Sequence, residues 1–263
     1  MTVADDLSLA LSLADAADSL ALPRFDAHDF AVESKPDLTP VTEVDRAVEQ
    51  LVSQRLADER PDDALLGEEF GSRGSEGGRR WIIDPIDGTK NFVRGVPVWA
   101  TLIGLYDGEE PLVGVVSAPA LGLRWWASAG GGAFRSVRGG QAQRLGVSRV
   151  GDLADASVSY SSLSGWQERG LRDGLLGLFD DVWRTRAYGD FWSYMMVAEG
   201  VVEIAAEPEL ELYDMAALVP IVTEAGGTFT GLDGRSGPFG GDAIASNGLL
   251  HEAARTRLNG AGA

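Results

Sequence analysis

The stretch that most constrains this chain is Trp81-Ile82-Ile83-Asp84-Pro85-Ile86-Asp87-Gly88-Thr89-Lys90-Asn91-Phe92. Bulky and β-branched residues without a polar interruption predict a strand through Ile83. That strand ends on a carboxylate, Asp84, and Pro85 takes the next backbone donor out of any ladder. A second carboxylate, Asp87, follows three residues on, and Gly88-Thr89 reads as a turn opening a helix. Two carboxylates at a strand end, beside free backbone N–H groups, suit hard cations bridging to a phosphate. The same string would also serve as a strand, a turn and an Asp cap on a helix, and a lone D-x-x-D spacing arises often by chance. The rest of the chain decides between the two.

Further acidic segments flank the central string. Gly67-Glu68-Glu69 follows the apolar run Ala64-Leu65-Leu66. Tyr213-Asp214 opens a helical stretch that leads into Ile221-Val222-Thr223-Glu224-Ala225-Gly226-Gly227. An earlier acid stands in Val41-Thr42-Glu43-Val44-Asp45, after Lys35-Pro36-Asp37. Taken in order, these four segments and the central string resemble the signature of the inositol monophosphatase family of metal-dependent phosphatases. The matching segments span residues 35–227, and the resemblance covers nearly the whole chain. It implies an α/β (α+β) fold, a five-layer α-β-α-β-α sandwich whose first sheet is antiparallel and whose second is mixed.

The resemblance also implies a site. Asp84 bridges two Mg2+ ions, Glu68 and the backbone carbonyl of Ile86 complete one shell, and Asp87 and Asp214 complete the other. A third, weaker ion lies near Glu68, and Mn2+ is an alternative to magnesium. Thr89, oriented by Asp45, positions the attacking water, so Asp45, Thr89 and Glu68 form the implied catalytic set. The N–H groups of Gly88 and Thr89 hold the phosphate, with Asp87 and Lys90 beside them. On position alone, Asp45 in the first turn of a helix capped by Thr42 is also explained by the helix dipole.

Composition narrows the chemistry independently. The chain has no cysteine and only two histidines, His28 and His251, which removes thiolate ligands and makes a multi-histidine zinc site improbable. Oxygen ligands, and with them magnesium or manganese, remain. A net charge of −18 with no basic run argues against nucleic acid. It also suits a substrate that carries a cation of its own, or a bound metal that inverts the local sign. All but Lys35 and Lys90 of the 22 basic residues are Arg, and both lysines fall in or beside the motifs. A point charge aimed at phosphate or at a metal-bound carboxylate is a reasonable role for them. The first 21 residues lack a leader pattern and no stretch is long enough to span a membrane. A cytoplasmic protein is expected, and relatives imply a homodimer.

Along the chain, residues 2–22 read as a helix stopped by Pro23, and a second helix runs from Thr42 to about Arg60. Gly71 to Arg80 reads as a flexible loop, either covering the site or an idle hairpin. Hairpin-linked strands follow, at 100–106, 112–118, 124–127 and 132–137. Past a boundary near residue 147, strands alternate with helices: a helix near 168–180, a strand 181–188, a helix 190–200, a strand 201–206 and a helix 212–225 that Pro220 kinks or breaks. The expected division is residues 1–147, an α+β lobe with most metal ligands, and 148–263, an α/β lobe with Asp214 and the substrate pocket.

The substrate follows from wording. Residues 35–42, 88–95 and Arg186-Ala187-Tyr188-Gly189-Asp190 resemble the bacterial histidinol-phosphate phosphatase branch of the family, implying a small-molecule phosphate ester, L-histidinol phosphate. Its amine and imidazole would suit acids beyond the metal ligands. Asp190 is either such an acid or a helix N-cap. By resemblance Glu207 contacts the alcohol part of the substrate and Arg186 lies in the segment shaping that pocket. Inositol 1-phosphate hydrolysis, a broad-specificity phosphatase, a sugar-bisphosphate or sulfated-nucleotide hydrolase using Arg184 and Arg186, and a non-catalytic phosphate-ligand binder are the other readings.

Overall fold

The computed structural model describes residues 2–36, 38–74 and 78–260. Asp37 and the centre of the 71–80 stretch therefore lie outside the described residues. The first half of the chain runs α1 (Val3–Ala27), β1 (Val32–Ser34), β2 (Pro40–Thr42), α2 (Glu43–Glu59), β3 (Ala64–Gly67), β4 (Gly71–Arg73), β5 (Arg79–Asp87), α3 (Thr89–Arg94), β6 (Ala100–Asp107), β7 (Glu110–Ala118), β8 (Leu123–Ser128), β9 (Gly132–Val137) and β10 (Gln143–Arg144). The second half runs β11 (Ser157–Tyr160), α4 (Leu163–Glu168), α5 (Arg172–Asp181), β12 (Arg184–Arg186), α6 (Asp190–Ala198), β13 (Ile204–Glu207), α7 (Leu212–Met215), α8 (Leu218–Glu224), β14 (Thr228–Thr230), β15 (Ala243–Ser246) and α9 (His251–Leu258).

An eight-stranded sheet, in the order β10-β9-β8-β7-β6-β5-β3-β4, is antiparallel throughout except where β3 runs parallel to β5. The second sheet, β12-β11-β13-β15-β14, is mixed: β11 is parallel to both its neighbours, and β15 is antiparallel to both of its own. Helices α1 and α2 cover the outer face of the first sheet, α6 and α8 fill the space between the sheets, and α5 and α9 pack together outside the second. This is the five-layer sandwich. The period of two is legible in the second sheet: Ile204, Ala206 and Ile244 face the outer helices, while Ala205, Ala243 and Ala245 face α6 and α8.

Two prolines are used differently from the sequence expectation, and a third accompanies the break that was one of its two expected outcomes. Pro23 does not stop α1, which continues to a left-handed cap at His28. Ser19, whose carbonyl the proline leaves without a helical donor, is exposed, so water can serve it. Beyond the proline, Phe25 packs on Phe92 and Trp99, with ring centroids 5.3 and 5.4 Å apart, and that contact favours continuing the helix. Pro85 does not end β5 either. It sits in a β-bulge, where the register passes from Asp84 opposite Leu102 to Asp87 opposite Ala100. In a regular strand, residues three apart point to opposite faces. The one extra residue resets that parity, and Asp84 and Asp87 come to the same side.

Pro220 lies in the first turn of α8, where its missing N–H costs nothing. A continuous helix would need that N–H for the carbonyl of Ala216. Here the Tyr106 hydroxyl donates to Ala216 O instead, at 3.0 Å. The expected 212–225 helix is thus broken into α7 and α8, and the break rests on the paired strand residues Gly104 and Gly114. A Cβ on Gly114 would lie 2.3 Å from Ala217 O, and one on Gly104 would lie 3.0 Å from Ala216. Two glycines in adjacent strands thereby set how close α7, and Asp214 with it, comes to the end of β5.

Smaller corrections follow. The helix near 168–180 is two, α4 and α5, parted by Gly170 at φ +72°. The strand expected at 181–188 is only β12, and that at 201–206 is shifted to β13. The stretch 71–80 is not a loop throughout, since β4 pairs with β3 and Arg79 already belongs to β5.

Candidate metal centre

The bulge in β5 and the first turn of α7 bring Asp84, Asp87 and Asp214 together. One carboxylate oxygen from each lies within 4.8 Å of the other two. Asp214 is fixed by a reciprocal cap, accepting the Glu211 N–H at 2.7 Å. Asp84 Oδ1 accepts the Ile86 N–H at 3.0 Å and Asp87 Oδ2 accepts the Phe191 N–H at 2.9 Å. Burial, and then the charges of Glu68, Asp87 and Asp214, hold the Asp84 carboxyl well above the usual carboxylate range. Burial with Asp190 and Asp214 does the same to Asp87, and burial raises Asp214. Like charges converging in a desolvated place are unstable as anions unless cations join them.

Glu68 stands at the turn after β3, close enough to Asp84 to raise its pKa. Lys35 reaches the same turn, with Nζ 2.7 Å from Glu68 and 2.6 Å from Glu69. Burial lowers the lysine pKa, but its two acidic partners outweigh that and raise it. Lys35 is thus aimed at the Glu68 carboxylate, a metal-ligand candidate, and is the one protein cation in the cluster among the described residues.

Thr89 begins α3, with Gly88 as a left-handed cap at φ 84°. Its hydroxyl has two acceptors, Ile86 O at 3.0 Å and Asp45 Oδ1 at 3.3 Å. Asp45 is buried and serves two purposes. Its Oδ2 completes a capping box with Thr42, and its Oδ1 faces Thr89. The same carboxylate thus caps α2 and faces Thr89. Burial, opposed by the Thr42 bonds, pushes its carboxyl up to about 6.

Past the metal-ligand candidates lies a second acidic group. Asp190 does not cap α6, whose side-chain cap is absent. It is the first helical residue at φ 48°, and its Oδ2 accepts from Asn91 Nδ2 at 2.8 Å. Burial raises its carboxyl, and the exposed Lys90 opposes the shift. Glu207, at the end of β13, is 7% exposed, and burial followed by the Asp190 charge pushes it up to about 8. Among the described residues its Oε1 and the neighbouring Tyr194 hydroxyl make no hydrogen bond of good geometry, yet the two groups are close enough that Glu207 helps hold the Tyr194 hydroxyl well above its usual range. Arg186 is exposed on β12, and its guanidinium donates to the carbonyl of Thr185 at 2.7 Å. Sequence reading gave no role to Glu49, Asn91 or Tyr194; Asn91 stands in the central string, while Glu49 and Tyr194 lie outside the quoted motifs and only their polarity on otherwise apolar helical faces could have marked them.

The structure fits hard divalent cations. The donors are oxygens, the carboxylates converge, and one lysine does not balance four acids. The family model for the inositol monophosphatase family matches residues 4–261. The histidinol-phosphatase of Mycobacterium tuberculosis is 61% identical over 255 residues, 97% of this chain and 98% of that protein. The histidinol-phosphatase of Streptomyces coelicolor is 62% identical over 259 residues, 97% of each. Among solved structures, an IMPase of Thermotoga maritima is 29% identical, with a TM-score of 0.85 and 97% of both chains covered.

Proposed function

The chain belongs to the inositol monophosphatase family, a metal-dependent family, and from that premise we propose that it hydrolyses L-histidinol phosphate to L-histidinol and phosphate, as histidine biosynthesis requires. The observation that carries the reading is the convergence of Asp84, Asp87 and Asp214 next to two further acids, half-buried Asp190 and buried Glu207. The first three suit metal, and the other two suit a cationic alcohol.

Phosphate monoesters need rate accelerations of up to about 10²¹. Glu68, Asp84, Asp87, Asp214 and the Ile86 carbonyl would hold two to three Mg2+ ions, or Mn2+ in their place. When bound, the ions supply Lewis-acid polarisation and a more acidic water. The residues do the rest. Thr89 orients the water through its hydroxyl, and Asp45 fixes that hydroxyl and can take a proton at Oδ1. The N–H groups of Gly88 and Thr89, with Lys90 nearby, receive the phosphate. Asp190 and Glu207 receive the ammonium and imidazole of the alcohol. Arg186, exposed on β12, shapes the outer margin of that pocket. In this reading residues 1–147 supply most metal ligands, and residues 148–263 supply Asp214 and the substrate pocket.

No helix among the described residues is long and apolar enough to cross a membrane. With relatives as the guide, we place the protein in the cytoplasm as a homodimer, without nucleic-acid partners given its −18 charge. The deciding measurement is kcat/KM for L-histidinol phosphate against inositol 1-phosphate, with and without magnesium. A preference for the inositol ester overturns the substrate, and no phosphate release from either overturns the enzyme. Thr89→Ala should lower kcat far more than it changes KM; the opposite split would make Thr89 a binding residue.

A further inference from the structure

Helix α2 carries a second buried carboxylate that the chemistry above does not use. Glu49 lies one turn after Asp45, on the same helix face, and is 0% exposed. Among the described residues no cationic side chain pairs with it. Its oxygens accept two backbone N–H groups instead, Oε2 from Glu69 at 2.7 Å and Oε1 from Phe70 at 3.0 Å. Those donors belong to the turn between β3 and β4, the turn that carries Glu68. The carboxylate lies flush against this backbone, because a Cβ on Gly67 would fall 1.8 Å from Glu49 Oε1. Gly67 is thus needed for close approach.

A residue that only filled the space between α2 and the turn would be apolar, since buried charge is often replaced by packed hydrophobic groups without loss of stability. A carboxylate here is also set against its neighbours: burial, and then the charges of Glu69 and Glu68, work against its ionisation. What it supplies, and an apolar residue cannot, is a fixed direction for two adjacent N–H groups. Fixing them fixes where the Glu68 side chain leaves the turn.

We propose that Glu49 is a positioning residue for the metal centre, clamping the 68–70 turn so that Glu68 is held against Asp84. The proposal rests on the metal-dependent reading above. Helix α2 then backs both halves of the site: Asp45 holds Thr89, and Glu49, one turn on, holds the Glu68 turn. Lys35 meets the same turn through the side chains of Glu68 and Glu69, so backbone and side chain are fixed by separate partners.

The test is Glu49→Gln, which keeps the volume but turns one acceptor into an NH2 group facing a backbone N–H. The magnesium concentration for half-maximal phosphate release should rise about 10–100-fold, the usual cost of losing an outer partner of a metal site. At saturating magnesium, kcat should return to within about threefold of wild type. Calorimetric titration of magnesium into the chelated full-length protein should show the same weakening without turnover. A lower melting temperature with unchanged magnesium affinity would make Glu49 a structural residue only and overturn the proposal. Glu49→Asp, which keeps the charge and reaches only part of the turn, should give an intermediate shift if the Gln variant does not fold, and an unchanged affinity there overturns the proposal equally. Wild-type protein that binds magnesium but releases no phosphate would defeat the phosphatase reading while leaving the clamp standing.

Discussion

The two ends of β5 both bury carboxylates, and they treat them in opposite ways. At its start, Asp6 of α1 is 0% exposed and lies 3.1 Å from Arg60 and 2.9 Å from Arg79. Arg79 also meets Asp63, which in turn accepts the Trp81 indole N–H at 2.9 Å. Every buried charge there has an opposite charge supplied by the chain. At the other end, Asp84, Asp87, Asp214 and Glu68 face one another, with Lys35 as their one cation among the described residues. Burying charge costs several kcal/mol per ion unless it is paired. The first end is a finished structural joint between α1, α2 and β5. The second is unfinished by the same standard, which is how a site for exogenous cations should look.

Breaking the joint should have the larger thermodynamic effect. Asp6→Asn leaves Arg60 buried without its carboxylate and should cost about 3–5 kcal/mol in urea unfolding. Magnesium-induced stabilisation of that variant should be unchanged. Wild-type unfolding of Asp6→Asn would show that the two ends of β5 do not differ. Asp84→Asn is the counterpart. It should cut turnover below about a hundredth, or about 2.7 kcal/mol of transition-state stabilisation. In chelator, however, it should melt no lower than wild type, because it removes one of several mutually repelling charges. A stability loss like that of Asp6→Asn would place Asp84 among the structural acids.

Most of the site was legible because its residues are packed densely in sequence: Asp84 to Thr89 spans six positions, and the motif order carried Glu68 and Asp214 with it. What the one-dimensional pattern hid was geometry. Asp84 and Asp87 share a side only through the bulge at Pro85, and a proline that reads as a strand end is also what a bulge tolerates. The break at Ala216-Ala217 depends on a Tyr106 hydroxyl more than a hundred residues away, so Pro220 alone could not locate it. Glu49 looked like any polar residue on a helix. Asp190, legible as an acid, is the first residue of α6 rather than its cap, at a backbone angle that no sequence pattern prints. Arg186 shared a motif with Asp190 and sits exposed on the edge strand β12.

Removing the metal should reveal the repulsion at the second end directly. At a magnesium concentration about 100 times Kd, bound metal adds about 2.7 kcal/mol, and chelation should lower the melting temperature accordingly. The effect should depend on pH. Asp45 and Glu207 are pushed up to about 6 and about 8, above their unfolded values. Between the unfolded and folded values the native state holds protons that the unfolded chain has released. The stability these groups contribute to chelated protein is therefore fully present below about pH 4 and lost as pH rises through the folded values. Metal binding runs the other way, because it needs deprotonated ligands. Thermal melts from about pH 5 to about pH 8 should show the gap between loaded and chelated protein widening. A gap that narrows with pH would mean that Asp84, Asp87 and Asp214, whose carboxyls are likewise raised, are not shared with metal.

Asp190 is an intermediate case and should give the smallest effect. It is half-buried among acids like the metal-ligand candidates, but an amide satisfies one of its oxygens: Asn91 Nδ2 donates to it at 2.8 Å and to Val98 O at 2.9 Å. Its backbone is left-handed, at φ 48°, a region that costs a residue with a Cβ about 1 kcal/mol. Nothing in the fold requires a carboxylate there, since α6 takes no cap from it. Asp190→Gly removes both the strain and the buried acid, and should raise stability by about 1 kcal/mol in chelated protein. If the carboxylate receives the ammonium of the substrate, the same variant should lose about tenfold in kcat/KM on histidinol phosphate, equivalent to about 1.4 kcal/mol. Its kcat/KM on a neutral phosphate ester should change little. Asp190→Asn separates the two effects, because it retains the backbone strain and an acceptor for Asn91 while losing the charge. Equal losses on the cationic and neutral esters would assign Asp190 to shaping the pocket, and a gain in stability with no kinetic change would remove it from the substrate altogether.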